Sequence, residues 1–543
     1  MRFVSRMVWV WLTGCLLAAP AVADQGHPHE AGNPERLGTV SFPTSCAPAV
    51  QKRFERAVAM LHSFWYEESE KEFAAVATAD PTCALAYWGV AMSLYHPLWY
   101  PPDPASLKKG QEAIAKAAAI GAKTARERDY IAALHTFYTD TDKRDHQARA
   151  SAYEQAMEQV AARYPEDREA TIFYALALLG TASPQDKTLS HQKKAGAMLE
   201  KILAAEPNHP GVAHYIIHSY DYPPLASRAL PAARAYAKIA PSAPHALHMP
   251  SHIFTRLGLW QESIASNRAS EQAAKEYGQR TGMKGAWSQQ LHAMDYLEYA
   301  YLQSGQNQQA KGVLDELQAM RGELGKDLTA GYAEAAIQAR YTVELGGWPE
   351  AAALDPDPVS EPVSKALIYH ARALGAAHTG KLEQARQDVR RLEQLRDTLA
   401  SAKDSYWSGQ VEIQRREVAG WLAYAEGKKD EAASLLRAAA EMEDATEKHP
   451  VTPGAVVPAR ELLGDLLLAL NRPADALPEF EATLKAAPNR FNALYGAARS
   501  AELAGNSGKA REYYAALVQV SVPGSERPEL RTANSYLREL ARK

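Results

Sequence analysis

The chain has 543 residues, enough for several ordinary domains or one long repeat array. Its 60 Lys and Arg against 64 Asp and Glu leave a net charge of -4, which excludes a global electrostatic attraction for nucleic acid. After the first two dozen residues no apolar run approaches the ~20 residues of a membrane helix, so the mature chain is expected to be soluble, with no transmembrane segment.

Residues 1-23 read as a secretory signal peptide: Arg2 and Arg6 open it, Met7 to Ala19 are mostly apolar, and Ala21-Val22-Ala23 offers a small-residue cleavage site. A secreted or periplasmic location follows as an expectation. The competing reading is lipoprotein processing at Cys15, since Leu12-Thr13-Gly14-Cys15 fits a lipobox, but the apolar run before Cys15 would then be very short. Residues 24-45, polar and rich in Gly and Pro at their start, predict a flexible arm, with His27 and His29 as solvated tail histidines. If Cys15 leaves with the signal, Cys46 and Cys83 remain, and two cysteines in an exported chain predict one disulfide; two buried thiols are the alternative.

From Val50 onward apolar residues recur at three- and four-residue spacing with almost no strand-like alternation, so the fold class is all-α. The period is clearest near the C-terminal end, where Ala476 and Ala510, Phe480 and Tyr514, and Ala474 and Gly508 are each 34 apart. Each unit is a helix, a short turn, a second helix and a Pro-containing link. This resembles the tetratricopeptide repeat (TPR), a 34-residue helix pair with small residues where the helices cross. The resemblance implies a helix-pair solenoid coiled into a right-handed superhelix. It covers nearly all of the mature chain, with an array over 46-354 and a second over 365-543. Proline-rich 355-364 is a soft boundary between them, and 449-458 is another break.

Seven of the 17 histidines fall between residues 209 and 295. His214 and His248, and likewise His218 and His252, are 34 apart, and within each pair along one helix the spacing is four, which places both rings on one face. A step of 47 carries His245 onto His292 and His248 onto Asp295. Neutral imidazole is a ligand for Zn, Cu, Fe and Ni, and pairs from neighbouring helices could complete a shell. The candidate metal ligands are therefore His214, His218, His248 and His252, with His245, His292, Asp295, Asp221 and Glu298 as further ligands or as groups that orient the rings. Copper is placed first, then zinc or iron. By the resemblance, these positions line the concave groove and should be reachable by solvent.

Against the metal reading stands the bland one, that repeat duplication multiplied ordinary hydrogen-bonding histidines. His209, in Asn208-His209-Pro210-Gly211, is expected to cap or pack a turn. Pro250 either starts a helix or kinks one. A second ladder, His62 and His96, with Trp88 nearby in sequence, reads as repeat packing or as an aromatic groove wall. His370 and His378 receive no role.

No Walker loop, dinucleotide fingerprint, Gly-x-Ser-x-Gly elbow, His-Glu-x-x-His pair or Cys-x-x-Cys occurs, so the sequence assigns no reaction. The histidine-rich stretch also resembles a group of exported bacterial TPR proteins, which implies a fold and a location but no substrate. Two readings follow: an exported TPR protein holding a transition metal, with catalysis at an open coordination position left open, or a metal-free scaffold whose groove binds a peptide or envelope protein partner.

Overall fold

The computed structural model describes residues 35-98, 101-183, 185-320, 324, 327-356 and 361-542. The signal reading of residues 1-23, and His27 and His29, lie outside them. Among the described residues, 26 α-helices follow one another, and consecutive helices pack on each other in a TPR-like solenoid. No helix among them is long and apolar enough to cross a membrane.

The helix pairs are built on one recurring contact, a small residue on one helix against a large ring on its partner. A Cβ at Gly89 would lie 2.3 Å from the Phe73 ring, and one at Gly496 would lie 2.3 Å from Phe480. Only the missing side chain lets the backbones approach this closely. Between the helices of a pair the chain reverses through a left-handed residue, as at Gly258 (φ 65°) and Gly505 (φ 75°), which ends one helix and starts the next. Asp103, Thr124, Asp145, Asp167, Asp327 and Asp404 each cap a helix by accepting from its first-turn backbone N-H groups.

The arm expected over residues 24-45 is seated on the helices over residues 36-45. Leu37, Val40 and Phe42 are buried. Phe42 packs against Phe54, Trp88 and Tyr130 at ring separations of 5.2 to 5.7 Å. The segment is irregular because its backbone bonds are made to other elements, such as Thr39 N-H to the Asn208 carbonyl at 2.9 Å. At its end Cys46 and Cys83 form the expected disulfide, with Cα atoms 4.8 Å apart. The bond closes a sequence separation of 37, which in the loop-entropy account stabilises the fold by about 4 kcal/mol. Reduction, or Cys83→Ala, is expected to lower the unfolding free energy by about 2-4 kcal/mol. A denaturant titration with and without reductant reads this, and an unchanged midpoint would sink it.

The helices Leu328–Glu344 and Pro362–His378, on either side of residues 355-361, pack directly on each other. The solenoid also curls back on itself. Trp260 Nε1 donates to the Asn489 carbonyl at 2.9 Å, Phe491 N-H to Gln303 Oε1 at 2.9 Å, and Val522 N-H to the Ser304 carbonyl at 3.0 Å. This curl lays residues 448-452 across the central histidines.

Candidate metal centre

Helix Pro210–Tyr220 opens with Pro210 in its first turn, and the His209 ring accepts from Val212 N-H, the capping role the link predicted. Gly211 sets where this helix lies. A Cβ there would come within 2.6 Å of His62 Nδ1, so glycine allows it to rest on the end of helix Gln51–His62. That contact brings the His62 carbonyl to 2.6 Å from His214 Nδ1. One turn on, His218 directs its Nε2 to within 3.1 Å of His214 Nε2. His245, on helix Pro244–His248, completes a triad, its ring centroid 5.0 Å from that of His214 and its Nδ1 3.2 Å from Gln289 Oε1.

Pro250 both starts a helix and marks a break. Pro244–His248 ends, Met249 keeps helical angles (φ -52°, ψ -36°), and Pro250–Arg256 begins with proline in its first turn. His248 and His252 still share a face, their Nε2 atoms 3.0 Å apart. His292, from helix Ser288–Gln303, closes the second triad, its centroid 4.3 Å from His248 and 6.0 Å from His252. In each triad, His214/His218/His245 and His248/His252/His292, one ligand atom per residue lies within 4.8 Å of the others. The four histidines expected as one set are thus divided two and two, with His218 and His252 at 6.2 Å across the divide.

The other ring nitrogens fix the tautomers. A carbonyl can only accept, so His214 carries its proton on Nδ1. Asn267 donates its amide to the Ser263 carbonyl, leaving Oδ1, 2.7 Å from His248 Nδ1, to accept from His248. His252 donates Nδ1-H to Asp221 Oδ2 at 2.9 Å. Asp221 also accepts from Arg256 at 2.8 Å and Lys448 at 3.1 Å. Although burial pushes the Asp221 carboxyl up, Lys448 and Arg256 hold it well below its usual range. Neutral His248 and His252 therefore face each other with bare Nε2 lone pairs.

Burial pushes His214 down to about 3 and holds His218, His245, His248 and His292 well below the ordinary imidazole value. His252 is lowered too, by burial, although Asp221 pulls it up.

The open groove expected of this face is instead a largely buried chamber. Five of the six rings are at most 2% exposed, and His218 is half-buried. The reason is tertiary. Phe64 covers His214 and His245 at 4.4 and 5.5 Å between ring centroids, and the fold-back places Pro450 and Val451 over the second triad. Tyr296 stacks on His252 at 4.8 Å and ties the covering segment down by donating to the Thr452 carbonyl at 2.9 Å. A cavity of about 20 Å³ remains, room for about one water, lined by histidines of both triads and His449, with Thr329 and the apolar Leu98, Met249, Leu328, Pro450 and Val451.

Asp295 and Glu298 do not join the triads. Both are fully buried and engage Arg340, Asp295 at 2.5 Å and Glu298 at 3.2 Å. The aromatic groove wall is not a single surface either. Trp88 is 1% exposed, packed among Phe42, Tyr130 and Phe173, and His62 bridges the Tyr215 hydroxyl at 3.0 Å and Glu169 at 2.9 Å. His96 stands apart, its ring tilted against Tyr66 with centroids 4.1 Å apart. Glu169 also binds His209 at 2.8 Å. Burial pushes its carboxyl up, but His62 and His209 hold it at about 2, while burial lowers His62. In this third cluster, whose ligand atoms also lie within 4.8 Å of one another, the carboxylate accepts from both rings. Asn267, Gln289, Tyr296 and Lys448 were not legible as site residues, because single polar residues on other helices carry no periodic signal.

Residues 461–526 match the family model for the tetratricopeptide repeat. No curated protein matches the chain. Among solved structures, the human IFIT1 dimer with m7Gppp-AAAA is similar at TM-score 0.36 and 13% identity, over 80% of this chain and 90% of that one. The human IFIT1 dimer with PPP-AAAA gives TM-score 0.39 and 12% identity over the same shares, 80% and 90%. The APC/C hetero-tetramer Cut9-Hcn1 gives TM-score 0.32 and 12% identity, over 90% of this chain and 82% of that one. The chain thus carries tetratricopeptide repeats at its C-terminal end, within an all-α, TPR-like solenoid of consecutive helix pairs.

Proposed function

We propose that this is an exported TPR-type protein that holds a transition metal in its buried histidine centre, copper first, with zinc or iron as the alternatives. One observation carries the reading. His248 and His252 both spend their Nδ1 protons on acceptors, and their bare Nε2 atoms stand 3.0 Å apart inside the fold. Two lone pairs that close repel unless a cation lies between them. A proton is a poor candidate, since burial disfavours the imidazolium. Two nitrogens on one metal ion at about 2.0-2.1 Å are about 2.8-3.4 Å apart for bond angles of about 90-110°. The 3.0 and 3.1 Å pairs fall in that range. Acceptors behind Nδ1 are the usual means of orienting metal-binding imidazoles. A donor set of imidazoles without carboxylate or thiolate suits copper, zinc or iron over magnesium, calcium or manganese. Export is supported by the Cys46–Cys83 disulfide, a bond that persists in oxidising compartments.

Elemental analysis of untagged protein from its native compartment tests the reading. At least one equivalent of metal per chain is expected. His218→Ala with His252→Ala removes one ligand from each triad and should lose it, with helix content retained. Wild-type protein that carries no metal and takes up neither Cu, Zn nor Fe overturns the proposal in favour of a metal-free, partner-binding scaffold.

A further inference from the structure

We propose that the two triads form a single dinuclear copper centre, one ion per triad, which binds dioxygen across both ions. This rests on the metal-binding reading above and goes beyond it in the number of ions and the ligand they share.

The triads are one chamber. Across the divide the ring centroids of His218 and His252 lie 6.2 Å apart and those of His245 and His248 6.0 Å, while centroids of neighbours within the second triad reach 6.0 Å. Ions bound to each triad would therefore be near neighbours, in the manner of two-metal sites, where about 3.5-4 Å lets one ligand span both. The cavity of about 20 Å³ touches His218 and His245 of one triad and His252 and His292 of the other. It is large enough for a water or a diatomic molecule and too small for an organic substrate beside the ions. Its other walls are mostly apolar, Leu98, Met249, Leu328, Pro450 and Val451 beside Thr329 and His449, which suits an uncharged diatomic.

Charge selects the metal. Six neutral imidazoles bring no negative charge, and the carboxylate behind His252, Asp221, is already shared with Arg256 and Lys448. Burying a singly charged ion costs about a quarter of burying a doubly charged ion of the same size. Two Cu(I) ions meet that constraint where two Zn(II) ions do not, and three imidazoles are a suitable set for Cu(I). On binding, each Cu(I) gives up one electron and becomes Cu(II). Dioxygen takes both and becomes peroxide, which bonds to both ions as the O-O bond order falls from two to one. No proton moves, and the dianion offsets the charge the oxidised pair gains.

The test is an anaerobic Cu(I) titration of copper-free, full-length protein, followed by exposure to air. Expected are two Cu(I) per chain and, with air, an intense near-ultraviolet absorption with no electron paramagnetic resonance signal, as coupled Cu(II) ions give. His245→Phe and His292→Phe keep an aromatic ring in place and should each hold one copper, giving a one-spin signal after oxidation. A stoichiometry of one in the wild type, or two independent spins, overturns the coupled pair while leaving metal binding intact. Two Cu(I) with a spectrum unchanged by air overturns the dioxygen assignment. No uptake of copper, zinc or iron sinks this proposal and the metal-binding reading together.

Discussion

Replacing Arg340 by methionine is expected to cost about 3-5 kcal/mol of unfolding free energy, the scale for removing one partner from a buried ion cluster. Arg340, Asp295 and Glu298 are each 0% exposed, and Arg340 is the cation between the two carboxyl groups. With one cation for two acids, burial raises the Asp295 carboxyl and drives that of Glu298 well above its usual range, while Arg340 pulls both back. The folded state therefore keeps a proton here that the unfolded chain releases above about pH 4.3. The contribution of this site to stability must fall as pH rises from that value towards the folded-state value of Glu298, because here the native state binds more protons than the unfolded chain. The buried histidines, whose values are lowered, act in the opposite direction. Glu298→Gln replaces the carboxyl whose proton the buried site favours, so it should cost less than Arg340→Met and should remove the part of the wild-type pH dependence that this site supplies. Denaturant titrations between pH 5 and 9 check both points. Equal losses in the two variants, or a pH profile of Glu298→Gln that runs parallel to the wild-type one, would falsify the account.

Asp221→Asn is expected to lower copper affinity about 10- to 100-fold, the usual effect of removing a group that orients a metal-binding imidazole. Asp221 is the joint between the site and its cover. It accepts from His252 Nδ1 at 2.9 Å and from Arg256 on the same helix, and it receives Lys448 at 3.1 Å from the segment folded over the chamber. Asparagine has one acceptor oxygen for these three donors and presents N-H groups to two cations. Lys448→Met separates the two roles, since it loosens the cover and leaves His252 bonded to Asp221. It should speed copper loss to a chelator while changing equilibrium affinity less than Asp221→Asn does. Competitive titration and stopped-flow chelation measure the two quantities. An Asp221→Asn protein with wild-type affinity would remove His252 from the ligand set.

The helical pattern, the 34-residue spacing around Phe480 and Tyr514, and the paired histidines were all legible, because each is a local regularity. Helix faces repeat every three to four residues, so His214 with His218 and His248 with His252 can be placed on common faces without knowing the fold. The cysteine pairing was legible by elimination, since two residues allow one intramolecular bond. The assignment of Asp295 to the histidine ladder rested on repeat arithmetic, and that arithmetic could not see Arg340, which arrives from a helix 45 residues on. The grouping into triads was hidden for a similar reason. His245 and His292 are assigned by how the interrupted segment at Met249 and Pro250 turns its rings and by how the next helix crosses it.

The sequence by itself determined an all-α repeat chain, which residues share a helix face, and a concentration of imidazoles in its middle third, because short-range spacing dictates helix faces directly. Only the tertiary structure decided that those imidazoles form two triads around one small chamber, and that the chamber is largely buried. Both depend on contacts between distant segments, Gly211 against His62 and residues 448-452 against Asp221 and Tyr296, where the curl of the solenoid brings together groups that no period along the chain relates.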